Sequence, residues 1–86
     1  MYLNNVIIHG YSAWYAIKPK IEIYLDGQLL GEVAYKDTFE FRVDEDTVLT
    51  FKCSVRKTDI KVYKDKMNEI SLEFNRFTGS LNAKYL

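Results

Sequence analysis

Apolar and polar residues alternate with a period of two along most of this 86-residue chain, the signature of strands with one dry face and one wet face. Ile21, Ile23 and Leu25 point one way and Glu22 and Tyr24 the other, up to Asp26-Gly27; residues 29–34 return, with Gly31 inside them. Asp-Gly between two such runs predicts a hairpin closed by a type I′ turn, whose two central positions both need positive φ. Gly31 within the returning strand predicts a bulge or a close backbone approach. Residues 38–43 place Phe39, Phe41 and Val43 inward. Residues 47–55 place Leu49, Phe51, Cys53 and Val55 inward, and residues 59–64 do so with Ile60 and Val62. Ile70, Leu72 and Phe74 form the next inward set, and Leu81, Ala83 and Tyr85 the last. Turn residues separate the runs: Asp44-Glu45-Asp46, the polar residues 56–59, Asp65-Lys66 and Thr78-Gly79. The β-branched residues 6–9, ending at Gly10, read as a first strand.

Short strands with turn signals about every 8–12 residues are the pattern of a sandwich or barrel. The chain therefore reads as one all-β domain spanning residues 1–86, with seven or eight strands. One-sided alternation favours a small antiparallel β-sandwich of the immunoglobulin-like kind, two sheets packed face to face. A small closed β-barrel is the alternative. Residues 11–17, Tyr-Ser-Ala-Trp-Tyr-Ala-Ile, have no clean period and suit either one helical turn or an irregular strand crossing between sheets. Lys18-Pro19-Lys20 then breaks the chain, since proline lacks an amide donor and disfavours helix before it.

Residues 23–33, Ile-Tyr-Leu-Asp-Gly-Gln-Leu-Leu-Gly-Glu-Val, resemble the strand–Asp-Gly–strand–Gly segment of PEGA-like and related bacterial immunoglobulin-like β-sandwich modules. Asp26, Gly27 and Gly31 carry the resemblance; the Pro-Glu-Gly-Ala segment that names the family is absent, and Val43-Asp-Glu-Asp-Thr47 stands at the equivalent turn. The resemblance implies a sandwich module with an accessory or cell-surface interaction role, and no catalytic residues.

Composition narrows the function classes. Aromatic residues make up 15% of the chain and there is a single proline, which agrees with strands. Formal net charge is zero, which argues against a dedicated nucleic-acid binder. The charges are unevenly spread: residues 22–46 hold eight acids against Lys36 and Arg42, and residues 52–66 hold six bases against Asp59 and Asp65. A dipolar domain is expected. Cys53 is the only cysteine, so no internal disulfide forms. The start of the chain has no secretory leader pattern and no apolar run is long enough to span a membrane. A cytoplasmic location is the default expectation, with a secreted or surface fragment as the alternative.

No catalytic constellation emerges. Cys53 lies between inward Phe51 and Val55 and reads as a small core hydrophobe rather than a nucleophile. His9, the only histidine, has no histidine or cysteine partner with which to build a transition-metal site. Asp44-Glu45-Asp46 lacks the spacing of a calcium loop. The four glycines are isolated, so no phosphate loop is present. No cofactor is expected, and the chain is read as a non-enzyme.

Two sets of residues suit binding. Tyr11, Trp14 and Tyr15 cluster next to the only proline, and exposed aromatics of this kind offer large rigid contact area to a protein partner or a sugar ring. The competing reading is that they cap one end of the core. Lys52, Lys61 and Tyr63 point outward, with Arg56 and Lys57 at the adjoining turn; on neighbouring strands they would form a basic, aromatic face able to hold an anionic strand. The expected function is a non-catalytic protein-interaction or accessory module, self-associating or with another protein partner. A carbohydrate-binding accessory domain is the alternative.

Overall fold

The computed structural model describes residues 4–11, 19–75 and 77–86. Eight strands follow one another: β1 (Val6–His9), β2 (Ile21–Leu25), β3 (Gln28–Val33), β4 (Thr38–Phe41), β5 (Thr47–Cys53), β6 (Arg56–Val62), β7 (Asn68–Phe74) and β8 (Leu81–Tyr85). No helix occurs among the described residues. The strands form two four-stranded sheets, β4-β1-β7-β8 and β3-β2-β5-β6. They pack as a small β-sandwich, and the described strands do not close into a barrel. Odd-numbered strands run one way and even-numbered strands the other. Every pair is therefore antiparallel except β1–β7, where two odd strands become neighbours and pair in parallel, Val6 opposite Asn68 and His9 opposite Ser71. That single parallel pair departs from the all-antiparallel expectation.

The alternation buries what it should. Val6, Ile8, Ile70, Leu72 and Leu81 from one sheet meet Ile21, Ile23, Val33, Leu49, Phe51, Cys53 and Val62 from the other, with Val43 and Tyr11 closing the core. The Asp26-Gly27 turn has φ of 50° and 80°, as a type I′ turn requires. Nothing lies within 4 Å of a Cβ placed on Gly27, so a substitution there is felt through the backbone alone. Gly27→Val is expected to cost about 1–2 kcal/mol, the left-handed penalty for an L-residue. The urea midpoint measures it, and an unchanged midpoint would contradict the turn type.

Gly31 serves both roles its position suggested. The β2–β3 register shifts between Ile23, opposite Gly31, and Tyr24, opposite Leu29, so Leu30 is the bulged residue. A Cβ on Gly31 would sit 2.6 Å from the Phe39 ring, which instead lies against the bare glycine backbone. Phe39 thus joins the open side of one sheet to the other.

The β5–β6 connection differs from the alternation-based expectation. β5 stops at Cys53, which pairs directly with Arg56, leaving Ser54-Val55 as a two-residue loop. Ser54 takes φ of 58°. Val55, expected inward, is 93% exposed at the loop tip. The reason is geometric: a two-residue loop reverses the chain while leaving the period of two intact, so alternation alone does not show where the strand ends. Residues 56–59, expected as a turn, are the first half of β6.

Two buried asparagines tie one end of the sandwich together. Asn5 donates from Nδ2 to the Val43 carbonyl (2.9 Å) and accepts the Val43 amide on Oδ1 (2.8 Å). Asn68 accepts the Tyr63 amide (2.9 Å) and donates to the carbonyls of Tyr63 (2.7 Å) and Asn5 (3.0 Å). Every polar side-chain atom buried among the described residues has a partner.

Candidate interaction surfaces

Strand direction sorts the connections. Among the described residues, those of the connections leaving odd strands, residues 10–11, 19–20, 34–37, 54–55, 75 and 77–80, lie at one end of the sandwich; those leaving even strands lie at the other, along with Asn5 and Asn68. We call these the open-tip end and the asparagine end. Asp26, Asp44, Glu45, Asp46 and Asp65 sit in the turns of the asparagine end, against Arg42, Lys64 and Lys66. The charge asymmetry of the sequence therefore becomes, in part, an acidic end.

Tyr11 is fully buried, not part of a surface patch. Its ring meets Phe74 edge-on at 5.0 Å and Tyr35 at 5.7 Å, and its hydroxyl donates to the Pro19 carbonyl at 2.8 Å. It plugs the open-tip end of the core and pins both flanks of the stretch between them. This is the core-cap role, and it removes Tyr11 from the proposed aromatic surface. Trp14 and Tyr15 lie outside the described residues.

Lys52 and Lys61 do share the outer face of β5 and β6, as their alternation predicts, but they do not form a stripe. Lys52 stands opposite Glu22 on one side and Lys57 on the other, while Lys61 stands opposite Val48. Between the two levels lies the Thr50–Asp59 pair, joined by a 2.7 Å hydrogen bond from the threonine hydroxyl. Acids thus interrupt the bases, as expected of an ordinary solvated sheet face. The Lys52 ammonium lies 5.4 Å from the Tyr24 ring centre and the Lys61 ammonium 5.4 Å from that of Tyr63. Arg56 leaves this face: its guanidinium donates to the Gly79 carbonyl in the β7–β8 turn.

Tyr63 belongs to a different group. Lys66 lies 4.8 Å from the Tyr63 ring centre and 5.2 Å from that of Tyr85, and the Tyr85 hydroxyl donates to the Lys61 carbonyl. Burial, and then the neighbouring Tyr63, push the Tyr85 hydroxyl above the ordinary tyrosine range. Beside them is an open depression of 390 Å³ lined by Asp46, Tyr63, Asp65 and Lys66. Asp46 spends one carboxylate oxygen on the Lys64 amide at 3.0 Å.

The groups considered for catalysis are dispersed. Cys53 is buried, and its burial pushes the thiol up, away from the reactive thiolate. His9 pairs with Glu69 at 2.7 Å on the outer face of the other sheet. Arg42 meets Asp44 at 3.0 Å, and no group of three metal-ligating side chains occurs among the described residues.

The sequence reading missed the most exposed large apolar side chains of the described residues, Phe77 at 97% and Val55 at 93%. Both cap hairpins at the open-tip end. In the β7–β8 turn the Asn75 side chain accepts the amides of Phe77 (2.8 Å) and Thr78 (3.0 Å), and Gly79 takes φ of 75°. This asparagine turn forces the chain around with Phe77 at its apex. The Arg56–Gly79 bond ties that turn to the one carrying Val55. Asn75 and Thr78-Gly79 bracket Phe77 with turn-forming residues, the available signal that it stands in a turn rather than in a strand.

Comparison with protein-family models, curated proteins and solved structures finds no match to this chain.

Proposed function

We propose that this domain is a non-catalytic interaction module whose contact end is the open-tip end, where Val55 and Phe77 stand out on two hairpins tied to each other. Their exposure carries the reading. A large apolar side chain left almost wholly in water contributes little to folding, and two on adjoining, braced tips form a feature that suits a partner. The turn chemistry of Asn75 and the Arg56–Gly79 bond hold the tips in place before contact, which lowers the ordering cost of binding. The resemblance of residues 23–33 to PEGA-like accessory modules supports the same class.

Trp14 and Tyr15, on which the carbohydrate alternative rests, lie outside the described residues; among the described residues a depression beside Tyr63 is a further candidate for it. The ammonium of Lys66 already lies over that ring, which leaves less aromatic face for a sugar to stack on.

Site-specific photo-crosslinking in cells tests the proposal. A photoreactive residue at position 77 is expected to give adducts that the same residue at Glu45, on the asparagine end, does not. Equal adducts from both positions, or none from either, would count against the open-tip end as the contact surface.

A further inference from the structure

We infer that the open-tip end docks on an anionic lipid surface, an inference that rests on the interaction reading above and names its partner. Three observations converge. First, Val55 and Phe77 stand almost wholly exposed at two turns, Phe77 on the rim of an open depression shared with Phe74, Asn75 and Asn82. An exposed apolar side chain at a turn can enter the headgroup boundary of a bilayer, where aromatic side chains are favoured. Second, the tip of the β5–β6 hairpin is basic: residues 52–58 contain Lys52, Arg56 and Lys57 and no acid, while β8 contributes Lys84 against Glu73 of β7. Lys84 is paired with Glu73 and Lys52 stands beside Glu22, whereas Arg56 bonds a neutral carbonyl and keeps its charge. Lys20 and Lys36, both exposed, add charge at the same end, against Asp37 alone in its turns among the described residues. Third, the turns of the opposite end hold five acids, Asp26, Asp44, Glu45, Asp46 and Asp65, against three bases, Arg42, Lys64 and Lys66, and that excess of acid favours a tips-first approach to a negative surface.

The apolar tips and the bases act together. Each base near an anionic bilayer is worth about 1 kcal/mol, or about fivefold in partitioning, and a partly inserted phenylalanine adds about tenfold. Neither alone holds a protein firmly, and together they give reversible, salt-sensitive attachment.

Flotation of the full chain with phosphatidylcholine vesicles, with and without phosphatidylserine, tests this. The protein is expected to float with the phosphatidylserine vesicles, less so as salt is raised, and weakly or not at all with phosphatidylcholine alone. Phe77→Ser is expected to weaken flotation about tenfold and Lys57→Ala about fivefold, with thermal unfolding unchanged in both because each side chain is exposed. No flotation with phosphatidylserine at low salt would overturn the inference, as would flotation indifferent to Phe77→Ser or equal on neutral vesicles. Sedimentation velocity supplies the remaining arm: a dimer abolished by Phe77→Ser identifies a second copy as the occupant and also overturns it. Protein adducts from position 77 without vesicle binding would leave the interaction module standing and remove only the lipid. Absence of adducts, to protein or to lipid, at position 77 over position 45 together with no vesicle binding would remove both.

Discussion

Asn68→Ala is expected to cost about 3 kcal/mol, because it strips the partners from buried backbone groups rather than merely removing contacts. Asn68 is 1% exposed and closes the β6–β7 turn by bonding both the amide and the carbonyl of Tyr63, while its amide nitrogen reaches the Asn5 carbonyl. Its own backbone amide also donates to Asn5 at 2.8 Å. Asn5 in turn holds Val43 through both backbone groups. The two asparagine side chains thus link the residue before β1, the loop before β5 and the β6–β7 turn. Unsatisfied groups in this site cost about 1–3 kcal/mol each where water cannot reach, and the half-buried Tyr63 end recovers part of that from solvent. A domain of this size has a total stability of about 4–13 kcal/mol, so the loss is a large share of it. The melting temperature should fall by about 12–24 °C. Asn68→Leu, which keeps bulk and drops every side-chain hydrogen bond, separates packing from polar satisfaction and should fall comparably. Urea midpoints for both variants close to wild type would show that the turn is held by something other than this asparagine.

The sandwich was legible because its signals are local. Asp26-Gly27 needs positive φ at both positions, and Leu49, Phe51 and Cys53 alternate across a strand buried on one face only. What alternation does not contain is pairing order. Nothing in residues 6–9 says that β1 lies between β4 and β7, and the parallel β1–β7 pair follows only from the placement of two odd strands side by side. The asparagine network was illegible for a related reason. Asn5 and Asn68 are 63 residues apart, and asparagine at a strand end ordinarily reads as a solvated turn residue.

The candidate surfaces show the same limit from the other side. Tyr11 looked like a surface aromatic because it neighbours Trp14 and Tyr15 in sequence, yet its ring is long enough to reach Phe74 and Tyr35 while its hydroxyl finds the Pro19 carbonyl. Amphipathic side chains of this kind serve core and surface equally well, and only the third dimension decides. Lys52 and Lys61 were placed on one face correctly. Their isolation was set by Glu22 and Asp59, whose pairing with β5 depends on register. Val55 was lost to a period of two that runs unbroken across a tight turn. Phe77 falls between the alternating run that ends at Phe74 and the Thr78-Gly79 turn, where a period of two assigns it to neither face.

Phe51 and Phe77 set the core and the contact end against each other with one residue type. Phe51 is fully buried at the centre of β5, opposite Ile23 on one side and Thr58 on the other. Phe51→Ala is expected to cost about 3–5 kcal/mol through lost burial and the cavity left behind. Against a total of about 4–13 kcal/mol, that brings the domain to the edge of unfolding. Phe51→Leu fills most of the space and should cost about 1–2 kcal/mol, so the position stays measurable if the alanine variant does not fold. Phe77→Ala should change stability by less than about 0.5 kcal/mol, as is usual for a surface substitution. Urea unfolding of the three variants reads all of these. The asymmetry carries the contact reading: a phenylalanine that packs against little of the domain stands in a turn built by Asn75. Should Phe77→Ala instead unfold the domain as Phe51→Ala does, the side chain would be packed in solution and the open-tip end would lose the feature on which its contact role rests.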